Sequence, residues 1–125
     1  MYPDYGNALF WDENGVNLGG FDKFFPETEN ELFTIDLSGI VGLKQWLFDW
    51  EEEIDGQTYH WTDDQWMMWW SQGLEFAISI KALLPDVFDL YYFSVKDPIW
   101  IERPNRLSGG SFNYGEPIKI DDKWT

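Results

Sequence analysis

The residues able to do chemistry crowd into one window of the chain. Between Lys44 and Lys81 there is no lysine or arginine, and residues 45–80 carry Asp49, Glu51, Glu52, Glu53, Asp55, Asp63, Asp64 and Glu75. The same window holds Trp46, Trp50, Trp61, Trp66, Trp69 and Trp70, six of the nine tryptophans. Dense carboxylates can ligate hard metal ions, act in pairs as acid and base, or attract and pair with lysine and arginine. Exposed tryptophans add a stacking platform for sugars or the desolvated anchors of a protein interface.

The metal and catalytic uses lack their patterns. His60 is the sole histidine and there is no cysteine, which removes the usual zinc ligand sets. Residues 49–55 lack the alternating Asp/Asn ligands and central glycine of a calcium loop, and Asp12-Glu13-Asn14-Gly15 is too short for one. Glycoside hydrolysis needs two carboxylates held at different pKa, and nothing among 23 acids isolates such a pair. There is no Gly-x-Ser-x-Gly elbow, and Gly19-Gly20 and Gly109-Gly110 lack the residues of a phosphate-binding loop. No catalytic residue, metal site or cofactor site is assigned, and the chain reads as non-enzymatic.

The net charge of −15 and pI near 4.1 favour a cationic partner and disfavour nucleic acid and anionic membranes. One exception is a protein that mimics DNA by presenting carboxylates to a nucleic-acid enzyme. The acidity is uneven: residues 1–36 hold eight acids against Lys23, whereas residues 81–125 hold seven acids against six bases. A row of acids is commonly a solvated face, but natural surfaces intersperse the two signs. The 25 aromatic residues (10 Phe, 9 Trp, 6 Tyr) argue for a packed core despite the charge, and 125 residues suit a single domain. The N-terminal residues lack a signal-peptide pattern, and no apolar run approaches the ~18 residues of a membrane span. The expected setting is the cytoplasm.

The supporting elements follow from periodicity. Residues 7–11 read as a strand, with Asn14-Gly15 as a tight turn in which both residues take positive φ. Residues 16–18 return as a strand ended by Gly19-Gly20, and residues 24–31 form a connection. In residues 32–37, Phe33, Ile35 and Leu37 share one side of a strand. Ser38 is placed to cap a helix over residues 39–53, with Ile40, Leu43, Leu47, Trp50 and Ile54 inward. Its last turn would carry Glu51, Glu52 and Glu53, where the helix dipole disfavours acids. Thr62 and Gln65 form a capping box for a second helix ending near Leu83, before Pro85. Trp66, Trp70, Gly73, Ala77, Ile80 and Leu84 make its buried stripe, widened by Trp69, Leu74 and Ile78. Strands follow over residues 87–95, 99–102 and 118–120. The fold class expected is α+β, a mainly antiparallel sheet with two helices packed on one face, as one domain over residues 1–125.

The run Trp66-Met67-Met68-Trp69-Trp70-Ser71-Gln72-Gly73-Leu74-Glu75-Phe76-Ala77, with Lys81-Ala82-Leu83-Leu84-Pro85 and Leu90-Tyr91-Tyr92, resembles helix-to-strand segments of immunity proteins from bacterial polymorphic toxin and contact-dependent growth inhibition systems. The resemblance covers residues 63–103. It implies a cytoplasmic, non-enzymatic inhibitor that occludes the active site, or an adjacent surface, of a basic toxin domain such as a nuclease. The partner-binding residues expected are Asp49, Glu51, Glu52, Glu53, Asp55, Asp63 and Asp64, with Trp46 and Trp61 as apolar anchors. Trp69 is also expected to be partly exposed. The competing readings are a DNA-mimic inhibitor and a small tryptophan-dependent carbohydrate-binding domain.

Overall fold

The first strands are organised by two glycines. A computed structural model of the chain describes residues 1, 8–55, 62–93 and 117–121, with Ala8, Glu53, Ile54, Asp55 and Asp63 described by backbone alone. Strand β1 (Ala8–Trp11) pairs antiparallel with β2 (Asn17–Gly20). The turn between them sits one residue earlier than expected. Gly15 N–H donates to the Asp12 carbonyl at 3.0 Å, so Glu13 and Asn14 are the central residues, and Gly15 follows them at φ 79°. The Asp12 carboxylate also accepts from the N–H groups of Asn14 and Val16, at 2.8 and 2.9 Å. A turn closed by one left-handed glycine therefore replaces the two-residue turn, because the aspartate side chain organises the loop.

Gly19 and Gly20 belong to β2, Gly20 as its last residue, instead of following the strand. Gly19 is flanked in the sheet by Phe10 on β1 and Phe24 on β3 (Lys23–Phe24). The rings of Phe10 and Phe24 stack at 3.9 Å between centroids, with planes 13° apart. A Cβ at Gly19 would lie 2.6 Å from the Lys23 carbonyl oxygen and 2.7 Å from Phe24 Cα, at a φ of 135° that favours glycine. The absent side chain lets two buried phenylalanines meet. Strand β4 (Ile35–Asp36) completes an antiparallel meander in the order β1-β2-β3-β4. Phe24 thus belongs to a strand, where a connection was expected. Phe33, Ile35 and Leu37 turn inward while Leu32, Thr34 and Asp36 face out, as the alternation requires.

The first helix, α1 (Leu43–Asp55), begins four residues later than expected. Ser38 does not cap it. The Ser38 N–H is bound instead to the Asp36 carboxylate at 2.9 Å, Ile40 N–H closes a turn on the Leu37 carbonyl, and Gly42 takes φ 92°. A left-handed residue cannot lie within a right-handed helix, so the helix starts after it. Helix α2 (Asp63–Leu83) matches its capping signature: Thr62 accepts from Gln65 N–H at 3.2 Å, and Gln65 accepts from Thr62 N–H at 2.7 Å.

Beyond Pro85, among the described residues, the long strand expected over residues 87–95 is reduced to β5 (Tyr91–Tyr92), and residues 94–95 lie outside them. Residues 86–87 are spent in a turn closed by Phe88 N–H on the Pro85 carbonyl. The in–out alternation survives from Val87 to Tyr92, with Leu90 and Tyr92 buried and Val87, Asp89 and Tyr91 exposed. Antiparallel β6 (Ile118–Lys119) pairs on one side of β5. Met1 lies on the other, its nitrogen donating to the Tyr91 carbonyl at 2.6 Å and its carbonyl accepting from Phe93 N–H at 3.3 Å. The hairpin partner expected at residues 99–102 lies outside the described residues.

The architecture is α+β, antiparallel strands with two helices packed against them. One apolar cluster joins the layers: Leu9, Phe10, Phe24, Ile35 and Leu37 from the meander, Leu43, Trp46, Leu47 and Trp50 from α1, and Trp66, Trp69, Ala77 and Ile80 from α2. Leu90, Tyr92, Phe93 and Ile120 close it.

Candidate partner-binding face

Two indoles fix how the helices present their acids. Trp46 Nε1 donates to the Trp69 carbonyl at 2.7 Å, and Trp69 Nε1 donates to the Trp46 carbonyl at 2.8 Å. Their rings stack at 4.3 Å with planes 5° apart, and Phe76 meets Trp46 edge-on at 5.9 Å. Gly42 lies beside Phe76 while Trp46, further along α1, lies beside Gly73 and Trp69, earlier in α2. The helices therefore run antiparallel. The C-terminal turn of α1 and the N-terminal turn of α2 share one end of the pair.

That end gathers most of the acids expected to bind a partner, while Asp49 lies midway along α1. Glu52 and Asp64 are exposed, and Asp49 and Glu51 are half-buried. Asp49 accepts from Gln45 Nε2, one turn back, at 2.8 Å. Glu53, Asp55 and Asp63 are placed by their helix backbones. The described bases are occupied elsewhere. Lys44, at the opposite end of α1, sits over Phe21 and Phe48 at 5.6 and 5.5 Å. Lys81 donates to the Phe88 carbonyl at 2.6 Å, and Lys119 pairs with Asp89 at 3.7 Å. Among the described residues, no lysine or arginine forms an ion pair with Asp49, Glu51, Glu52 or Asp64.

The two helix ends differ electrostatically. The acids at the start of α2 and Lys81 in its last turn suit the helix dipole. The last turn of α1 contains Glu52, Glu53 and Asp55 with no base, the unfavourable arrangement. Each such charge costs about 0.3–1 kcal/mol when exposed.

Trp46 is not an exposed anchor. It is 2% exposed, and Trp69, also expected at the surface, is 4% exposed. Each indole satisfies its N–H on the opposite helix while stacking on the other, so the pair belongs to the core. Trp50 and Trp66 are buried as their stripes require, and Trp11 and Trp70 are half-buried. Trp61 and His60 lie outside the described residues. No fully exposed tryptophan occurs among the described residues, so a sugar-stacking platform gains no support from them.

The outer side of α2, opposite the tryptophan stripe, offers apolar surface. Asp64, Met67, Met68, Ser71, Gln72 and Glu75 line a shallow, open depression, and Met68 is 64% exposed. The signal was present in the spacing: Asp64, Met68, Ser71 and Glu75 recur at steps of three and four, the mark of a common helix face. No group of three or more potential metal ligands occurs among the described residues. No described helix is long and apolar enough to cross a membrane.

Behind this face, Tyr92 donates its hydroxyl to the Trp70 carbonyl at 2.9 Å, and Trp70 Nε1 donates to the Phe93 carbonyl at 2.8 Å. Burial holds the Tyr92 phenol well above its ordinary pKa of 10.0. The folded state thus keeps its proton where the unfolded chain releases one. The associated stability is complete below pH 10 and is lost as pH rises from 10 through the folded-state value. Urea midpoints measured from pH 9 upward should fall steeply beyond pH 10 in the native protein and less steeply in Tyr92→Phe. Parallel curves would show that Tyr92 ionisation does not limit alkaline stability.

No protein-family model, curated protein or solved structure matches this chain.

Proposed function

We propose that the protein is a non-enzymatic cytoplasmic inhibitor of the immunity type, neutralising a basic toxin domain by covering its active site or an adjacent surface. The observation that carries this reading is the last turn of α1, where Glu52, Glu53 and Asp55 face an unfavourable helix dipole with no base in the turn. Local conflict of this kind is retained where a site needs the charge more than the helix does. Exposed Glu52 and Asp64 add to a one-signed field at the hairpin end, which accelerates encounter with a cationic surface. The stacked Trp46 and Trp69 make the acid-bearing helices a preorganised unit, which lowers the ordering cost of binding.

A DNA mimic would instead spread carboxylates at phosphate spacing over an extended surface. The acids Glu51, Glu52, Glu53, Asp55, Asp63 and Asp64 gather toward one end of a helix pair, with Asp49 midway along α1, which favours a compact protein target.

The partner to test is any neighbouring open reading frame whose product ends in a basic domain. Co-expression should restore growth that this domain alone arrests. Replacing Glu51, Glu52 and Glu53 together by lysine should slow association at least about tenfold and flatten its salt dependence. The same change should leave folding stability unchanged or slightly raised, because bases suit a helix C-terminus. An unchanged association rate would remove these acids from the interface, and failure to protect growth would remove the function.

A further inference from the structure

The outward side of α2 combines three features in one strip. Asp64 and Glu75 are eleven residues apart, three helical turns, which places them on nearly the same line about 16 Å apart. Met68 stands exposed between them, with half-buried Met67 beside it and the short or polar Ser71 and Gln72 completing the depression. Ser79 and Ala82 continue the strip as small exposed residues. Lys81, the base in the last turn of α2, is turned away and held on the Phe88 carbonyl.

This pattern has a definite complement. Acids at both ends fit lysine or arginine at matching spacing. The flexible thioethers between them fit an apolar side chain of varied shape. Small residues along the strip let a second helix approach closely. An extended strand fits less well, since its side chains would alternate across the strip instead of following it. We infer that the outer face of α2 is the docking site for a cationic amphipathic helix of the partner, with two basic residues on Asp64 and Glu75 and an apolar residue between them on Met67 and Met68. The inference rests on the basic-partner reading above and moves the centre of contact from the end of the helix pair to the side of α2. The acids at the end of α1 then act by steering, and the methionines supply the desolvated contact.

The probe is a synthetic helical peptide with two lysines eleven positions apart and leucines between them. A peptide of the same composition with its lysines adjacent serves as control. Amide shifts of the full chain are mapped by NMR at low and physiological salt. The expected result is saturable shifts centred on Asp64, Met67, Met68, Ser71, Gln72 and Glu75, with the control binding at least about tenfold more weakly. Met68→Lys and Glu75→Lys, both at exposed positions, should each lower affinity about tenfold without moving the urea midpoint. Shifts centred instead on residues 49–55, or equal binding of both peptides, would overturn the α2 site and leave the basic-partner reading standing. No saturable binding of either peptide, with the toxin domain still bound, would do the same. If the toxin domain is not bound either, both readings fail.

Discussion

Replacing Gly73 by alanine should destabilise the protein by about 3 kcal/mol, a large part of the 5–15 kcal/mol typical of a domain. Taken alone, alanine is the better helix former by about 1 kcal/mol. Packing reverses that preference. A Cβ at Gly73 would collide with the Tyr92 hydroxyl oxygen and with the Trp46 ring, and would lie 2.8 Å from Tyr92 Cζ. Neither neighbour can give way cheaply. Tyr92 is fully buried and bound to the Trp70 carbonyl, and Trp46 is clamped between its hydrogen bond and the stack with Trp69. Gly39→Ala is the control, since nothing lies within 4 Å of a Cβ there. Urea unfolding should place the Gly73 variant far below the native midpoint and the Gly39 variant close to it. Matching midpoints for the two variants would mean that α2 and β5 pack less tightly than described.

Trp46→Ala should cost about 3–5 kcal/mol, as large-to-small changes of a buried tryptophan do. The loss includes the stack on Trp69, the edge contact with Phe76 and the hydrogen bond to the Trp69 carbonyl. Trp69 would keep its own bond to the residue 46 carbonyl, so the damage falls chiefly on packing. Trp46→Phe, Trp69→Phe and the double variant form a cycle. Its coupling energy should be about 1 kcal/mol or more, because the residues touch and bond reciprocally. This experiment also separates two roles for Trp46. A surface anchor would lose binding on truncation and keep its stability, whereas a core clasp loses stability first.

How much of this was legible in the sequence depended on how local each signal is. The capping box of Thr62 and Gln65, the end of α2 before Pro85 and the stripe from Trp66 to Leu84 are written in short-range spacing, and the structure reproduces them. The start of α1 is less legible, because Ser38 has the chemistry of a cap without acting as one. Its N–H is taken by Asp36, and the left-handed Gly42 decides where the helix begins. Gly19 looked like punctuation for the same reason. Its real role is set by Phe10 and Phe24, nine residues before and five after it.

The candidate site divided along the same line. Charge is additive along a sequence, so the acidic window and its place at the facing ends of two helices could be read directly. Exposure is not. Trp46 stands three residues after Leu43 and four before Trp50, on the inward flank of α1, and the matching indole 23 residues away takes up its N–H. The spacing of both helices is compatible with burial of the two indoles; the reciprocal hydrogen bonds between them are what spacing does not show. Met68 is hard to single out for the opposite reason: it is one apolar residue in a helix crowded with larger ones, yet it is left at the surface.

The central claim is that the acids at the end of the helix pair serve a basic partner. Its most direct test is the association rate of this protein with the basic domain it protects against, measured across a range of salt concentrations. A partner-binding role predicts fast association at low salt, falling steeply as salt rises, with the fall largely abolished by lysine at positions 51, 52 and 53. Association independent of salt, or equally steep in that variant, would contradict it.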